Sequence, residues 1–157
     1  TLYTYGTESR QYYKNCYIEG TVDFIFGSSI AVFENCVIFC KDQGYITAAS
    51  TPQWRPHGYV FKNSRILGEK PGTHYLGRPW RPYAKVVFLD CDISEVIRAE
   101  GWENWRNPAN EKTAYYAEFN NRGNGSELKN RVAWSHKTVD PADYTLKKIF
   151  GDWTPGT

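Results

Sequence analysis

One short pattern recurs along the chain: Tyr13-Lys14-Asn15-Cys16-Tyr17-Ile18, Phe33-Glu34-Asn35-Cys36-Val37-Ile38, Phe61-Lys62-Asn63-Ser64-Arg65-Ile66 and Phe88-Leu89-Asp90-Cys91-Asp92-Ile93. Each copy reads aromatic, any residue, Asn or Asp, a small residue, any residue, Ile. The small residues follow one another at intervals of 20, 28 and 27 residues, a period that marks a solenoid of stacked coils. Alternation within each copy fits a strand, with Ile18, Ile38, Ile66 and Ile93 on one face, and stacking aligns those residues into an internal ladder. Parallel strands that no helix connects can share a sheet only if the chain circles back once per coil, so the expected fold is an all-β parallel β-helix. The competing arrangement is a Greek-key sandwich whose strands share a composition, and the cysteines weigh against it. Cys16 and Cys36 hold the same place in successive copies, and stacking at ~4.8 Å brings their Cα atoms within disulfide reach. Cys91 lies two copies farther on, and Cys40 has no evident partner. Unequal intervals imply loops of unequal length. Those at 45–57 and 68–82 are rich in Gly, Pro and Trp and are the expected binding loops.

A chain of 157 residues suffices for one domain with a sizeable core. The net charge of +2 is spread without any block of like charge, which argues against nucleic acid as a partner. No segment approaches the ~20 apolar residues of a membrane span, so no membrane partner is expected, and no export signal occurs within these residues. Aromatic residues make up 17% of the chain, more than such a core needs. Rings are therefore expected on a binding surface, for which flat sugar faces are natural ligands.

Two stretches carry the chemistry. Gly20-Thr21-Val22-Asp23-Phe24-Ile25-Phe26-Gly27 sets one carboxylate in an apolar strand closed by glycines, and a buried charge of that kind requires a cation. Tyr75-Leu76-Gly77-Arg78-Pro79-Trp80 supplies one beside a large ring. An arginine there can hold a carboxylate through two parallel hydrogen bonds and fix its orientation. Both stretches resemble the signature segments of the pectin methylesterases, or pectinesterases. The resemblance continues through residues 99–105, Tyr115-Tyr116-Ala117-Glu118-Phe119 and Arg131-Val132-Ala133-Trp134. It covers nearly the whole chain but about the C-terminal half of the family's domain, so residues 1–157 are expected to be that part of a longer domain.

The resemblance implies a right-handed parallel β-helix that hydrolyses the methyl ester of galacturonate units in pectin, with no metal or organic cofactor. Asp23 then matches the nucleophile and Arg78 its anchor, while Phe26 and Trp80 match rings that contact the sugar chain. Tyr83, in the same Pro-bearing loop as Trp80, is a further candidate contact. Bacterial members carry a disulfide at positions matching Cys16 and Cys36. Location outside the cytoplasm follows: secreted, periplasmic or in the cell wall. A methyl ester has a poor leaving group, so a carboxylate nucleophile requires a second group to protonate departing methoxide and later to activate water. The family uses a second aspartate, in a Gln-Asp-Thr-Leu-Tyr segment. This chain opens Thr1-Leu2-Tyr3, so that aspartate is expected immediately before Thr1, and the open edge of the first coil is expected to meet the upstream half of the domain or another copy.

Plainer readings stand beside these. Trp102 and Trp105 read as packing rather than as a sugar platform, and His57, His74 and His136 as loop histidines, because no Gly-x-Ser-x-Gly elbow or His-x-x-x-His pair accompanies them. Asn124-Gly125-Ser126 reads as a turn. The rival functions are a non-catalytic polysaccharide-binding β-helix and a calcium-dependent pectate lyase. The second needs clustered carboxylates that Asp42, Asp90 and Asp92 do not form with Asp23.

Overall fold

The structure is a computed structural model and describes residues 1–156. Eleven strands follow in order: β1 (Leu2–Thr4), β2 (Arg10–Lys14), β3 (Tyr17–Gly27), β4 (Ile30–Glu34), β5 (Val37–Ala49), β6 (Tyr59–Lys62), β7 (Arg65–Gly68), β8 (His74–Gly77), β9 (Lys85–Leu89), β10 (Asp92–Ile93) and β11 (Tyr115–Phe119). Every pairing between them is parallel. One sheet runs β1-β3-β5-β7-β10 with β8 also on β5, and the other runs β11-β9-β6-β4-β2. β5 pairs with β7 from Val37↔Arg65 to Cys40↔Gly68 and with β8 from Gly44↔His74 to Thr47↔Gly77. The long strands thus bend around a corner, and each coil has three sides. The fold is the parallel β-helix expected from the repeat, with the right hand that the resemblance implies.

The repeat itself is a corner rather than a single strand. In each copy the aromatic residue ends a strand of one sheet, the small residue and Ile begin the next side, and the Asn or Asp between them makes the turn. Asn15, Asn35, Asn63 and Asp90 have φ of 58, 52, 51 and 55°. Only Gly, Asn and Asp occupy that left-handed region readily, which is why the position is so restricted. A fifth corner follows at Asn120, φ 54°. Its copy is hidden in the sequence because Glu118 stands where the others have an aromatic ring and Asn121 where they have Cys or Ser. Side chains link the corners up the stack: Asn35 donates to Asn15 Oδ1 at 2.7 Å and Asn120 to Asp90 Oδ1 at 2.6 Å.

Inside the coil the same registration builds columns. Ile18, Ile38, Ile66 and Ile93 are successive Cα partners, as the alternation predicted. Tyr13, Phe33, Phe61 and Phe88 stack face to face at 5.0, 4.5 and 4.3 Å, with planes within 10° of parallel. The sequence-based loops are shorter than expected, because residues 45–49 and 74–77 belong to β5 and β8 and form the third side of the coil.

The disulfide expected between Cys16 and Cys36 is not formed, and all four cysteines are free thiols. The two do occupy equivalent corners of neighbouring coils, with the Val37 amide on Cys16 O at 2.8 Å. Each thiol instead donates to a carbonyl at its own corner, Cys16 to Lys14 O and Cys36 to Glu34 O, and Cys36 also reaches Tyr13 O of the neighbouring coil. Burial pushes the Cys36 thiol up to about 11.

The aromatic column ends at Glu118, the partner of Phe88 in the next coil. Its carboxylate takes two hydrogen bonds from Arg131, Nε to Oε2 at 2.9 Å and Nη2 to Oε1 at 2.8 Å, and a third from Trp102 Nε1 at 3.2 Å. Both charged side chains are 1% exposed. From this plug the C-terminal segment runs back along the outer face of the second sheet. Tyr144, Ile149 and Phe150, the last two in α1 (Leu146–Phe150), cover Ile30, Val32, Val60, Val87 and Leu89. It is fastened to the first coil by Arg10, which donates to Phe150 O and Asp152 Oδ1, each at 2.8 Å. Removing one partner of a dry ion pair leaves the other charge unmatched, at a cost of about 3–5 kcal/mol. Arg131→Met is therefore expected to lower unfolding stability by about that amount, measured by denaturant titration, and Arg131→Met with Glu118→Leu to recover most of the loss.

Candidate active site

Asp23 owes its position to a fault in the sheet. Val22 pairs with Tyr45 and Ile25 with Thr47, so Asp23 and Phe24 together oppose Ile46 alone. This β-bulge puts Asp23 at φ 51° and breaks the alternation, sending both Phe24 and Ile25 into the core while the Asp23 carboxylate faces outward. The carboxylate is therefore not in the apolar interior, as its neighbours in sequence implied. Its side chain retains 20% exposure. Two features of the next coils hold the bulge. A Cβ at Gly44 would lie 1.9 Å from Thr21 O, so only glycine allows the strands to meet there. His74 Nε2, on β8, reaches the same carbonyl at 3.1 Å, while its Nδ1 lies 3.0 Å from the Thr73 hydroxyl.

Arg78 leaves the end of β8 with its amide on Thr47 O at 3.0 Å. Its Nε donates to Asp23 Oδ1 at 3.0 Å and its Nη2 to Oδ2 at 2.7 Å, the paired geometry foreseen from the motif. The guanidinium is sandwiched between the rings of Tyr45, 3.9 Å from the centroid, and Trp105, 3.8 Å away. Burial works against its charge, but the Asp23 hydrogen bonds and charge prevail and raise Arg78 above its ordinary value. The result is a carboxylate whose plane is fixed by a cation that is itself clamped on both faces.

Around this pair lies a cleft of about 330 Å³, lined by Thr1, Val22, Asp23, Phe26, Trp80 and Trp105 among others. Phe26 stacks on Tyr3 at 4.6 Å and meets the edge of Trp80 at 5.8 Å. Tyr3 is 50% exposed and continues the apolar wall outward. A larger cavity, about 470 Å³, lies beneath the C-terminal segment between Tyr12 and Trp153. It faces the other sheet and holds no comparable constellation.

The pectinesterase family model matches residues 1–151. Pectinesterase 31 of Arabidopsis thaliana is 46% identical over 142 residues, covering 89% of this chain and 44% of its own length. Among solved structures, pectin methylesterase from carrot superposes with a TM-score of 0.82 at 31% identity, covering 93% of this chain and 53% of that one. A pectin methylesterase variant in complex with a hexasaccharide gives 0.80 at 29% identity, over 100% of this chain and 55% of its own. The chain belongs to the pectinesterase family. It spans less than half the length of the curated relatives it matches.

Of the residues singled out in this pectinesterase-family sequence, the structure brings Asp23, Arg78, Phe26 and Trp80 together. Tyr83 stands apart, with its ring against Lys85 Nζ at 5.8 Å rather than in the cleft. The two tryptophans of the Gly-Trp-x-x-Trp stretch divide: Trp102 is buried packing on Tyr116, as expected, whereas Trp105 turns out at φ 60° to cover Arg78. Tyr3, Tyr45 and Trp105 were not foreseen as parts of the site. The sequence placed Tyr45 only at the start of the 45–57 stretch, with nothing to set it beside Arg78.

Both supports of the bulge give testable outcomes. Gly44→Ala forces Thr21 and the bulge away, and because a displacement near 1 Å can cost about 10²-fold, it is expected to lower any turnover by Asp23 by about that factor with little change in the global fold. Burial lowers His74 below its ordinary value near 6.5. The unfolded chain therefore takes up this proton at a higher pH than the folded one, and the site loses stability as pH falls below about 6.5. Melting temperatures from pH 7.5 down to 5 are expected to fall less steeply in His74→Gln, the wild type being the reference.

Proposed function

We propose that the protein hydrolyses the methyl ester of galacturonate units in pectin, releasing methanol and pectate, and that Asp23 is the nucleophile. The observation that carries this reading is the bidentate Asp23–Arg78 pair at the floor of an aromatic-walled cleft. Phe26 and Trp80 offer ring faces to the sugar chain, and a related enzyme binds a hexasaccharide. The polymer is thus the partner proposed, and a cell-wall or other extracellular setting suits it.

An Asp23 oxygen bonds to the ester carbonyl carbon, and methoxide leaves with a proton. Water then opens the resulting anhydride, which frees the galacturonate and returns Asp23. Arg78 keeps the attacking oxygen oriented throughout. The proton must come from a second group, and Asp23 is the one carboxylate among the described residues that line the cleft. The register offers a place for it. Leu2 pairs with Ile25, so Thr1 falls beside Phe24 and the position before Thr1 falls beside Asp23. An aspartate there would meet the need, and the reading of residues 1–157 as the C-terminal part of a longer catalytic β-helix is supported by the chain's span of 44% of Pectinesterase 31.

Methanol release from methylated pectin tests the reading. In a polypeptide that carries the preceding residues, Asp23→Asn is expected to abolish turnover while pectin binding persists; wild-type turnover by that variant removes the assignment. Trp80→Ala is expected to raise KM through a lost stacking surface. The 157-residue chain alone is expected to work at least about 10⁴-fold more slowly than the extended one, since it lacks the acid and base. Equal rates place the proton donor within these residues and refute its assignment to the position before Thr1.

A further inference from the structure

Strand β1 is short, stands at the edge of its sheet and pairs with β3 alone among the described residues. Its ladder runs from Leu2↔Ile25 to Thr4↔Gly27 and so lies wholly on one side of the bulge at Asp23 and Phe24. Backbone pairing beyond the bulge therefore does not fix which residue comes level with Asp23. A slip of one residue along β3 sets a different one there.

The register is held instead at the far end of the strand, by Thr4. This residue is fully buried, and its carbonyl accepts the amides of Ser28 at 3.1 Å and Ser29 at 3.2 Å. Its hydroxyl donates to Phe26 O at 3.4 Å, which leaves Oγ1 to accept from the Tyr59 hydroxyl at 2.6 Å. Gly27 leaves room for the approach, since a Cβ there would stand 2.2 Å from Thr4 O and 2.8 Å from its Oγ1. Tyr59 belongs to β6 in the opposite sheet, so this bond crosses the interior of the coil. Its Cα partners on either side, Ala31 and Val86, are smaller, and its ring rests edge-on against Phe33 at 6.1 Å. Burial raises the Tyr59 phenol, which keeps it a neutral hydroxyl.

Two hydroxyls in an apolar interior add little to stability, because apolar groups of the same shape can replace both at small cost. What a buried polar pair adds is a single register, since any slip leaves both groups unmatched. We infer that Tyr59 and Thr4 are positioning residues, whose hydroxyl pair locks β1 against β3 and so holds the residue before Thr1 level with Asp23. This rests on the esterase reading, in which that residue is the proton donor. It lies four strand steps from Thr4, ~13 Å at ~3.3 Å per residue, and an error of register at Thr4 is carried along the strand to it.

Two measurements on a polypeptide that carries the preceding residues test the pair: methanol release from methylated pectin, and amide hydrogen exchange of residues 2–4. Tyr59→Phe and Thr4→Val are each expected to lower kcat about 10- to 100-fold with KM nearly unchanged, because the rings of Phe26 and Trp80 remain while the donor moves. The double variant is expected to lose no more than either single one, as two halves of one interaction do. Thr4→Ser, which keeps the hydroxyl, is expected to retain most of the wild-type kcat. Exchange at residues 2–4 is expected to quicken in Tyr59→Phe while residues 45–49 keep their protection. Wild-type kcat in Tyr59→Phe overturns the inference, as does a parallel loss of kcat, pectin affinity and melting temperature, which marks a merely structural role. The two readings fail separately. Faster exchange in Tyr59→Phe with no methanol release even by the wild type removes the esterase and leaves the lock on β1, whereas release that is indifferent to Tyr59→Phe does the reverse.

Discussion

Parallel stacking imposes one rule on every part of this molecule: whatever a position carries, it lies against the same position one coil away. The rule turns single residues into columns. An aromatic ring at the end of β2 meets another at the end of β4, and the run continues through Phe61 to Phe88 with spacings near van der Waals contact. Asn residues at the corners follow the same logic: each adopts the left-handed conformation, Asn35 bonds to Asn15 and Asn120 to Asp90 on the neighbouring corner, and Asn63 bonds to Glu34 one coil back. A column is stabilised by its own repetition, so its ends are its weak points. Glu118 closes one of them: the Phe88 ring is followed by a carboxylate neutralised by Arg131 and overlaid by Trp102.

The candidate site exists because the rule is broken once. Without the bulge at Asp23 and Phe24, strict alternation would send either Phe24 or Ile25 out to solvent. With it, both are buried and a carboxylate is left on the outer face beside the next coils. Left-handed backbone at a non-glycine residue carries a cost, of order 1–3 kcal/mol, and persists only where its surroundings fix it. Here they do: Gly44 allows the close approach, His74 ties down Thr21 O, and Arg78 binds both carboxylate oxygens. The coil supplies rigidity, and the fault in it supplies exposure.

What was legible in the sequence follows from the same distinction. The corner repeat could be read because a left-handed turn admits few residue types, and the Ile ladder because its spacing from each corner is constant. The fifth corner could not, because the plug replaced its ring with Glu118 and the remaining signal, Asn120, is one residue. Asp23 and Arg78 were legible as an anion and a cation in unusual surroundings. Tyr45 and Trp105 were not, since neither is near Arg78 in sequence: one arrives through the register of β5 against β8 and the other through a turn with two successive positive φ angles, Trp105 at 60° and Arg106 at 56°. The Cys16–Cys36 position was read correctly as adjacent corners, but adjacency permits a bond without requiring it, and each thiol has a carbonyl of its own.

The outer columns show how a repetitive fold acquires direction. An unbroken outer face would offer the same surface on every coil, and a polymer could bind it in any register. Here Val22, Tyr45, Tyr75 and Arg98 occupy successive rungs with different chemistry. The Arg78 cation is consumed at one end, and the Arg98 cation is unpaired at the other. From the Asp23 carboxylate to Arg98 the outer face therefore changes from a paired anion to stacked rings to an unpaired cation, so that a fold built by repetition presents unlike groups in a fixed order along its axis.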